Sequence, residues 1–385
     1  MIFDFDTPVN RGDTSSLKWD KYKRKDVLPM WVADMDFISP PAVIEALHAR
    51  IDHGVFGYTL PPQELVDVLC SRMEQAYQWQ IDPDWLVWLP GLVTGLNVAC
   101  QAVGEVGDEV ISMVPVYYPF LSAPSLSQRK LVTTPIVEQG QQWVIDFDAL
   151  RDKASAKSKL LLFCNPQNPL GRVFREEELR ELAQLCEEKD LVICSDEIHC
   201  DLILDPEKKH IPLASLSPEI AQRTITLMAP SKSFNLPGLG CSFAIIPNPK
   251  LRLRFQRAMQ GIVPYVNTLG YTAALAAYQH GGDWLAALLP YLRDNRDLVQ
   301  ERIAQIPGLS MKGMEATYLA WIDTRELKLG NASRFFEMAG LGLSNGADFG
   351  GEGFVRLNFG CPRSQVQKAL DIMAQAVEEY GYQNA

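Results

Sequence analysis

Ser231-Lys232-Ser233-Phe234-Asn235 lies just beyond an apolar run that ends near Ala229, so it sets a lysine amine at the end of a strand. A desolvated lysine amine attacks carbonyl carbon and, when neutral, removes protons from acidic C–H groups. Asp196 closes another apolar run, Leu191–Ser195, where a buried acid needs a partner. Asn165-Pro166-Gln167-Asn168-Pro169-Leu170-Gly171 has the composition of a turn that presents an amide side chain. Singly these are ordinary features, since a lone lysine at a strand end is usually a solvated charge. In open parallel sheets, however, the carboxyl ends of the strands form the ligand crevice. A lysine, a carboxylate and an amide all fall at such ends.

The elements that must position them are short apolar runs: Glu109–Val114, Lys159–Cys164, Leu191–Ser195 and Thr224–Met228. Runs of this kind suit strands buried on both faces of a parallel sheet. Arg175–Lys189 reads as an amphipathic helix with acids in its first turn and Lys189 at its end. Residues 50–285 are expected to form a large α/β domain with a mostly parallel sheet. Residues 286–385, joined by 1–49, are expected to form a smaller α+β domain with short strands at Tyr318–Asp323 and Phe354–Phe359 and a helix at Ser364–Tyr380. The glycine-rich stretch Gly340–Gly353 reads as a mobile loop.

Three short matches point elsewhere and fail on context. Gly342–Gly346 fits the G-x-S-x-G elbow of hydrolases, but the last histidine, His280, precedes it and no strand–helix frame surrounds it. Asp196–His199 resembles the acidic box of helicases, yet the chain has no Gly-Lys dipeptide for a phosphate loop. Gly238-Leu239-Gly240 lacks the third glycine of a dinucleotide fingerprint. The net charge of −11 argues against nucleic acid or an anionic membrane as a partner. No apolar run is long enough to span a bilayer and the first residues carry no export signal, so the expectation is a soluble, cytoplasmic protein. The eight cysteines have no C-x-x-C spacing and the five histidines are scattered, so no metal site is expected.

The order N-P-x-N-P-x-G, S-D-E-I-H, S-K-S-F-N and R-L-N-F-G-C-P resembles class I/II aminotransferases, the fold type I enzymes of pyridoxal 5'-phosphate. Met30–Phe37, Ser195–Leu204, Ala229–Leu239 and Arg356–Arg363 resemble most the bacterial cystathionine β-lyase, or C–S lyase, branch. The resemblance implies that Lys232 holds the cofactor as a Schiff base and later removes the substrate Cα proton. Asp196 would pair with the pyridine nitrogen, Asn168 with the phenolic oxygen, and Tyr117 would stack on the ring, although Tyr118 next door competes for that place. Leu92 and Val93 would meet the phosphate at a helix start. Ser231 and His199 complete the cofactor-binding set, and Tyr58 would reach the phosphate of the neighbouring subunit, making a homodimer with shared active sites. Arg356 would clamp the substrate carboxylate, with Ala33 and Asp34 in the segment closing over it.

Three positions depart from aspartate aminotransferases. Gly240 stands where they carry a phosphate-binding arginine, His199 where they carry a tyrosine, and Leu170 where a threonine is usual. The implied reaction is β-elimination from a small amino-acid substrate, a cysteine S-conjugate such as cystathionine, giving a thiol, pyruvate and ammonia. Transamination of small amino acids is the alternative, because it uses the same residues.

Overall fold

A computed structural model describes residues 3–384. Its centre is an eight-stranded sheet in the order Leu86–Leu89, Ser242–Ile245, Thr224–Met228, Val192–Asp196, Ser158–Cys164, Glu109–Val114, Lys130–Gln139, Gln142–Ile145. The five strands from Thr224–Met228 to Lys130–Gln139 are parallel, and both edges are finished by antiparallel strands. The four apolar runs of the sequence are the four central strands, displaced by one residue at most. Alternate side chains feed opposite faces, as pleating requires. Val110, Leu160, Leu162, Cys194 and Ile225 pack with helix Leu92–Ala102 on one side. Ile111, Leu161, Phe163 and Ile193 pack with helix Glu176–Glu188 on the other.

A second, antiparallel sheet joins Leu319–Asp323, Phe354–Asn358 and Ser344–Asn345 in that order. Its core draws on helices Gly282–Ile303 and Arg363–Asn384 and on Phe5, Met30, Met35 and Phe37 from the start of the chain. The N-terminal segment therefore packs with the C-terminal part, and Leu28–Pro29 pairs with Leu341–Gly342. We propose the division into 50–285 and 1–49 with 286–385 as the working domain boundary. Residue 286 falls inside helix Gly282–Ile303, which serves as the connector. No helix among the described residues is long and apolar enough to cross a membrane.

Gly340–Gly353 is not the free loop expected of its composition. It contains two short strands and a 3-10 turn at Gly346–Phe349, with Leu341, Leu343 and Phe349 buried. The glycines there admit close backbone contact: a Cβ on Gly346 would lie 2.3 Å from the Gly351 carbonyl oxygen.

The turn Asn165–Gly171 is anchored from beneath. Gly171 has φ +66°, and a Cβ there would lie 2.7 Å from that of Met314. Next to it, Arg172 is buried and meets both Glu178 oxygens at 2.7 and 2.8 Å, Glu315 at 3.1 Å and the Trp143 carbonyl at 2.8 Å. Leu170 is buried in the same core, where a threonine hydroxyl would need a partner. Removing one partner of a buried charge cluster strands the others, at a cost of about 3–5 kcal/mol. Arg172→Ala is therefore expected to lower stability by about that amount, read from urea-unfolding curves.

Candidate functional site

Four adjacent strands of the large sheet deliver the site. Past their carboxyl ends, in sheet order, stand Lys232, Asp196, Asn168 and Tyr117, and all four line one cavity of about 720 Å³. His199, Ser231, Leu92, Val93, Arg356, Ala33 and Asp34 line it too, so every expected site residue but one is brought together. The exception is Tyr58, which is fully exposed in a loop between helices Pro41–His53 and Gln63–Tyr77 and does not border the cavity of its own chain.

Asp196 is the last residue of its strand, and its Oδ1 accepts the Ile198 N–H at 3.1 Å. Burial pushes its carboxyl up to about 7, against the opposing pull of that N–H and of Lys232. Burial also pulls Lys232 down to about 8, with Arg356 adding to the effect and Asp34 and Asp196 opposing it. Burial holds His199 near 3, aided by Lys232 and Arg356, so its imidazole is neutral. Its buried Nδ1 has no protein partner. Burial likewise lowers Arg356, to about 10. Tyr117, tilted against Tyr118 with ring centroids 4.7 Å apart, is raised above the ordinary phenol value by burial.

Arg356 Nη1 donates to Asn168 Oδ1 at 3.0 Å and Nη2 to the Trp31 carbonyl at 2.9 Å, while the buried Nε is unpaired. Phe349, from the glycine-rich segment, lies 4.6 Å from the guanidinium along its ring face. The Trp31–Phe37 segment forms a wall of the site. Lys232 Nζ and the Tyr318 hydroxyl both donate to the Ala33 carbonyl, the latter at 3.0 Å. Asn358 Nδ2 donates to the carbonyls on either side, Val32 and Asp34. Asn235 accepts from the Met35 N–H at 3.0 Å and donates to the carbonyls of Met35 and Phe37.

Sequence reasoning missed these holding residues. Asn235 and Asn358 stand inside the quoted S-K-S-F-N and R-L-N-F-G strings, so the composition was visible though their acceptors, backbone carbonyls, were not. It also missed Asp201, which ties the lysine loop down: Ser233 Oγ donates to Asp201 Oδ2 at 2.7 Å and Arg72 pairs with Oδ1.

Over residues 25–373 the chain matches the family model described as aminotransferase class I and II. It is 40% identical over 378 residues to cystathionine beta-lyase PatB of Bacillus subtilis, covering 95% of this chain and 97% of that protein. Among solved structures it superposes on OvoB with a TM-score of 0.96 at 48% identity, covering 97% of this chain and 99% of the other. Cystalysin from Treponema denticola, whose crystal structure contains pyridoxal 5'-phosphate, matches with a TM-score of 0.94 at 36% identity, covering 98% and 100%. The chain belongs to the class I and II aminotransferase family, the fold type I enzymes of pyridoxal phosphate.

A lysine near 8 is half free amine at pH 8, where an ordinary lysine is almost wholly charged. Labelling of Lys232 in cofactor-free protein by an amine-selective reagent is expected to rise with pH and to be half-maximal near 8. Peptide mapping of the label checks this; a profile still rising past pH 10 would refute the desolvated amine.

Proposed function

We propose that the protein is a pyridoxal 5'-phosphate-dependent carbon–sulfur β-lyase acting on cysteine S-conjugates of the cystathionine type. A buried lysine amine, a buried carboxyl and a buried guanidinium share one cavity in a chain 40% identical to a cystathionine β-lyase, and that conjunction carries the assignment.

The cavity residues fit the cofactor. Asp196 is buried with a single backbone N–H and needs a cation, which a protonated ring nitrogen provides. His199 has an unpartnered ring nitrogen facing no protein group, and Asn168 offers its amide from the neighbouring strand. Lys232 would attach the cofactor and Tyr117 would pack against its ring. With glycine at 240, N–H groups at the start of helix Leu92–Ala102, where Val93 stands, and Ser231 would hold the phosphate. The bound cofactor supplies an electron sink for charge developing at the substrate Cα.

Arg356 holds the substrate carboxylate, and the wall at Ala33 and Asp34 covers it. The Lys232 amine would take the proton from Cα. The Cβ–S bond then breaks and sulfur departs as a thiolate. A thiol pKa of ~8.5 makes this departure far easier than that of an alkoxide. The remaining three-carbon fragment hydrolyses to pyruvate and ammonia.

The working unit is a homodimer in which Tyr58 of the partner subunit completes the phosphate site. Exposed Val55, Phe56, Tyr58 and Leu60 on one loop support a covered face there. All eight cysteines are free, as suits the reducing cytoplasm, where we place the protein.

Incubation with cystathionine and no keto acid is expected to release pyruvate and thiol over many turnovers per cofactor. Activity that appears only when a keto acid is added would instead establish an aminotransferase. Lys232→Ala is expected to lose both the cofactor's visible absorbance as attached to protein and all turnover, while far-ultraviolet circular dichroism stays unchanged. Retained turnover in that variant would refute the assignment.

A further inference from the structure

The outer part of the active-site cavity carries a cation with no assigned task. Lys21 lines the cavity together with Leu17, Trp31, Glu337, Asn345 and Asp348. The nearby lysines are engaged: Lys18 with Asp36 at 2.6 Å, Lys23 with Asp13 at 2.5 Å, Lys25 with Glu337 at 3.8 Å. Lys21 has no carboxylate within ion-pair distance among the described residues. Its ammonium is held instead over two rings, 4.3 Å from the Trp31 centroid and 5.0 Å from that of Tyr22. An ammonium on an aromatic face keeps its N–H donors free for an anion.

Trp31 connects this cation to the inner site. Its carbonyl accepts from Arg356 Nη2 at 2.9 Å, while its indole carries Lys21 and donates to the Lys18 carbonyl at 3.1 Å. One residue thus braces two cations, Arg356 deep in the cavity and Lys21 toward its mouth. Tyr22, the other ring under Lys21, is fixed by its hydroxyl to Glu337 at 3.3 Å, so the platform is tied on both sides.

We propose that Lys21 is a specificity-determining residue that binds a carboxylate on the leaving-thiol half of the substrate. The preferred substrates are then cysteine S-conjugates with two acid groups, the α-carboxylate on Arg356 and a distal one on Lys21. Glu337 and Asp348 line the same cavity and would accommodate an ammonium on the same half, so a conjugate whose thiol half is itself an amino acid also fits. The inference rests on the β-lyase reading and narrows its substrate class.

The test compares S-(2-carboxyethyl)cysteine with its uncharged counterpart S-propylcysteine on the holoenzyme. Pyruvate release gives kcat/KM for each, for the wild type, Lys21→Gln and Lys21→Arg. Wild type is expected to prefer the carboxylated conjugate, and Lys21→Gln to lower that preference by about tenfold, mainly through KM, as befits a charge-assisted contact. Lys21→Arg should restore most of it, which a loss of packing at the rim would not explain. An unchanged preference in Lys21→Gln would overturn the inference while leaving the lyase intact. Pyruvate from neither conjugate would remove the lyase reading and this inference with it.

Discussion

A carboxyl at the end of a strand buried on both faces cannot hold its charge alone, and the rest of the site is arranged around that constraint. Asp196 is forced into the interior because its strand is flanked on both sides by other strands of the parallel set. Desolvation moves its carboxyl and the Lys232 amine toward each other on the pH scale, the acid up and the base down. Both thereby lie closer to neutrality than the free groups do. Neither shift needs a special neighbour. Each follows from the depth at which a doubly covered sheet ends.

The same depth leaves the surrounding polar groups only partly satisfied. Arg356 spends one nitrogen on Asn168 and another on the Trp31 carbonyl, leaving Nε unpaired. A buried guanidinium lacking any carboxylate partner is costly, and its lowering to about 10 expresses that cost. On the proposed function, a substrate carboxylate at Arg356 would relieve that cost.

Much of this was legible in the sequence because strand ends have a signature. Asp196, Lys232 and Asn168 each follow an apolar run, and the runs are adjacent in the sheet that their burial demands. What was not legible is of two kinds. Tyr318, Asn235 and Asn358 act on backbone carbonyls, and an acceptor common to all residues leaves no mark in the chain. Arg172 with Glu178 and Glu315, and Asp201 with Ser233, pair residues whose proximity only the tertiary fold creates. Gly340–Gly353 misled for a related reason. Its glycines permit close backbone packing, which composition alone does not distinguish from looseness.

The wall at Trp31–Phe37 shows how the two parts of the molecule share one site. Asn235, in the lysine loop of the large sheet, grips Met35 and Phe37, while Asn358 and Tyr318, on the small sheet, grip the carbonyls of Val32, Ala33 and Asp34. From the solvent side, buried Asp36 collects Lys18, Trp19 and Arg11, and Arg11 reaches on to Asp34. Burial alone would raise Asp36, but these donors hold its carboxyl below the ordinary range. Each such bond contributes about 0.5–1.5 kcal/mol net, so the segment is held by several at once. It cannot fold over a substrate as an independent flap. A closure here must carry the small sheet with it, because the hydrogen bonds that fix Ala33 and Asp34 begin on Asn358 and Tyr318. The segment is thus tied to the small sheet through Asn358 and Tyr318 and to the lysine loop through Asn235, and it couples the two.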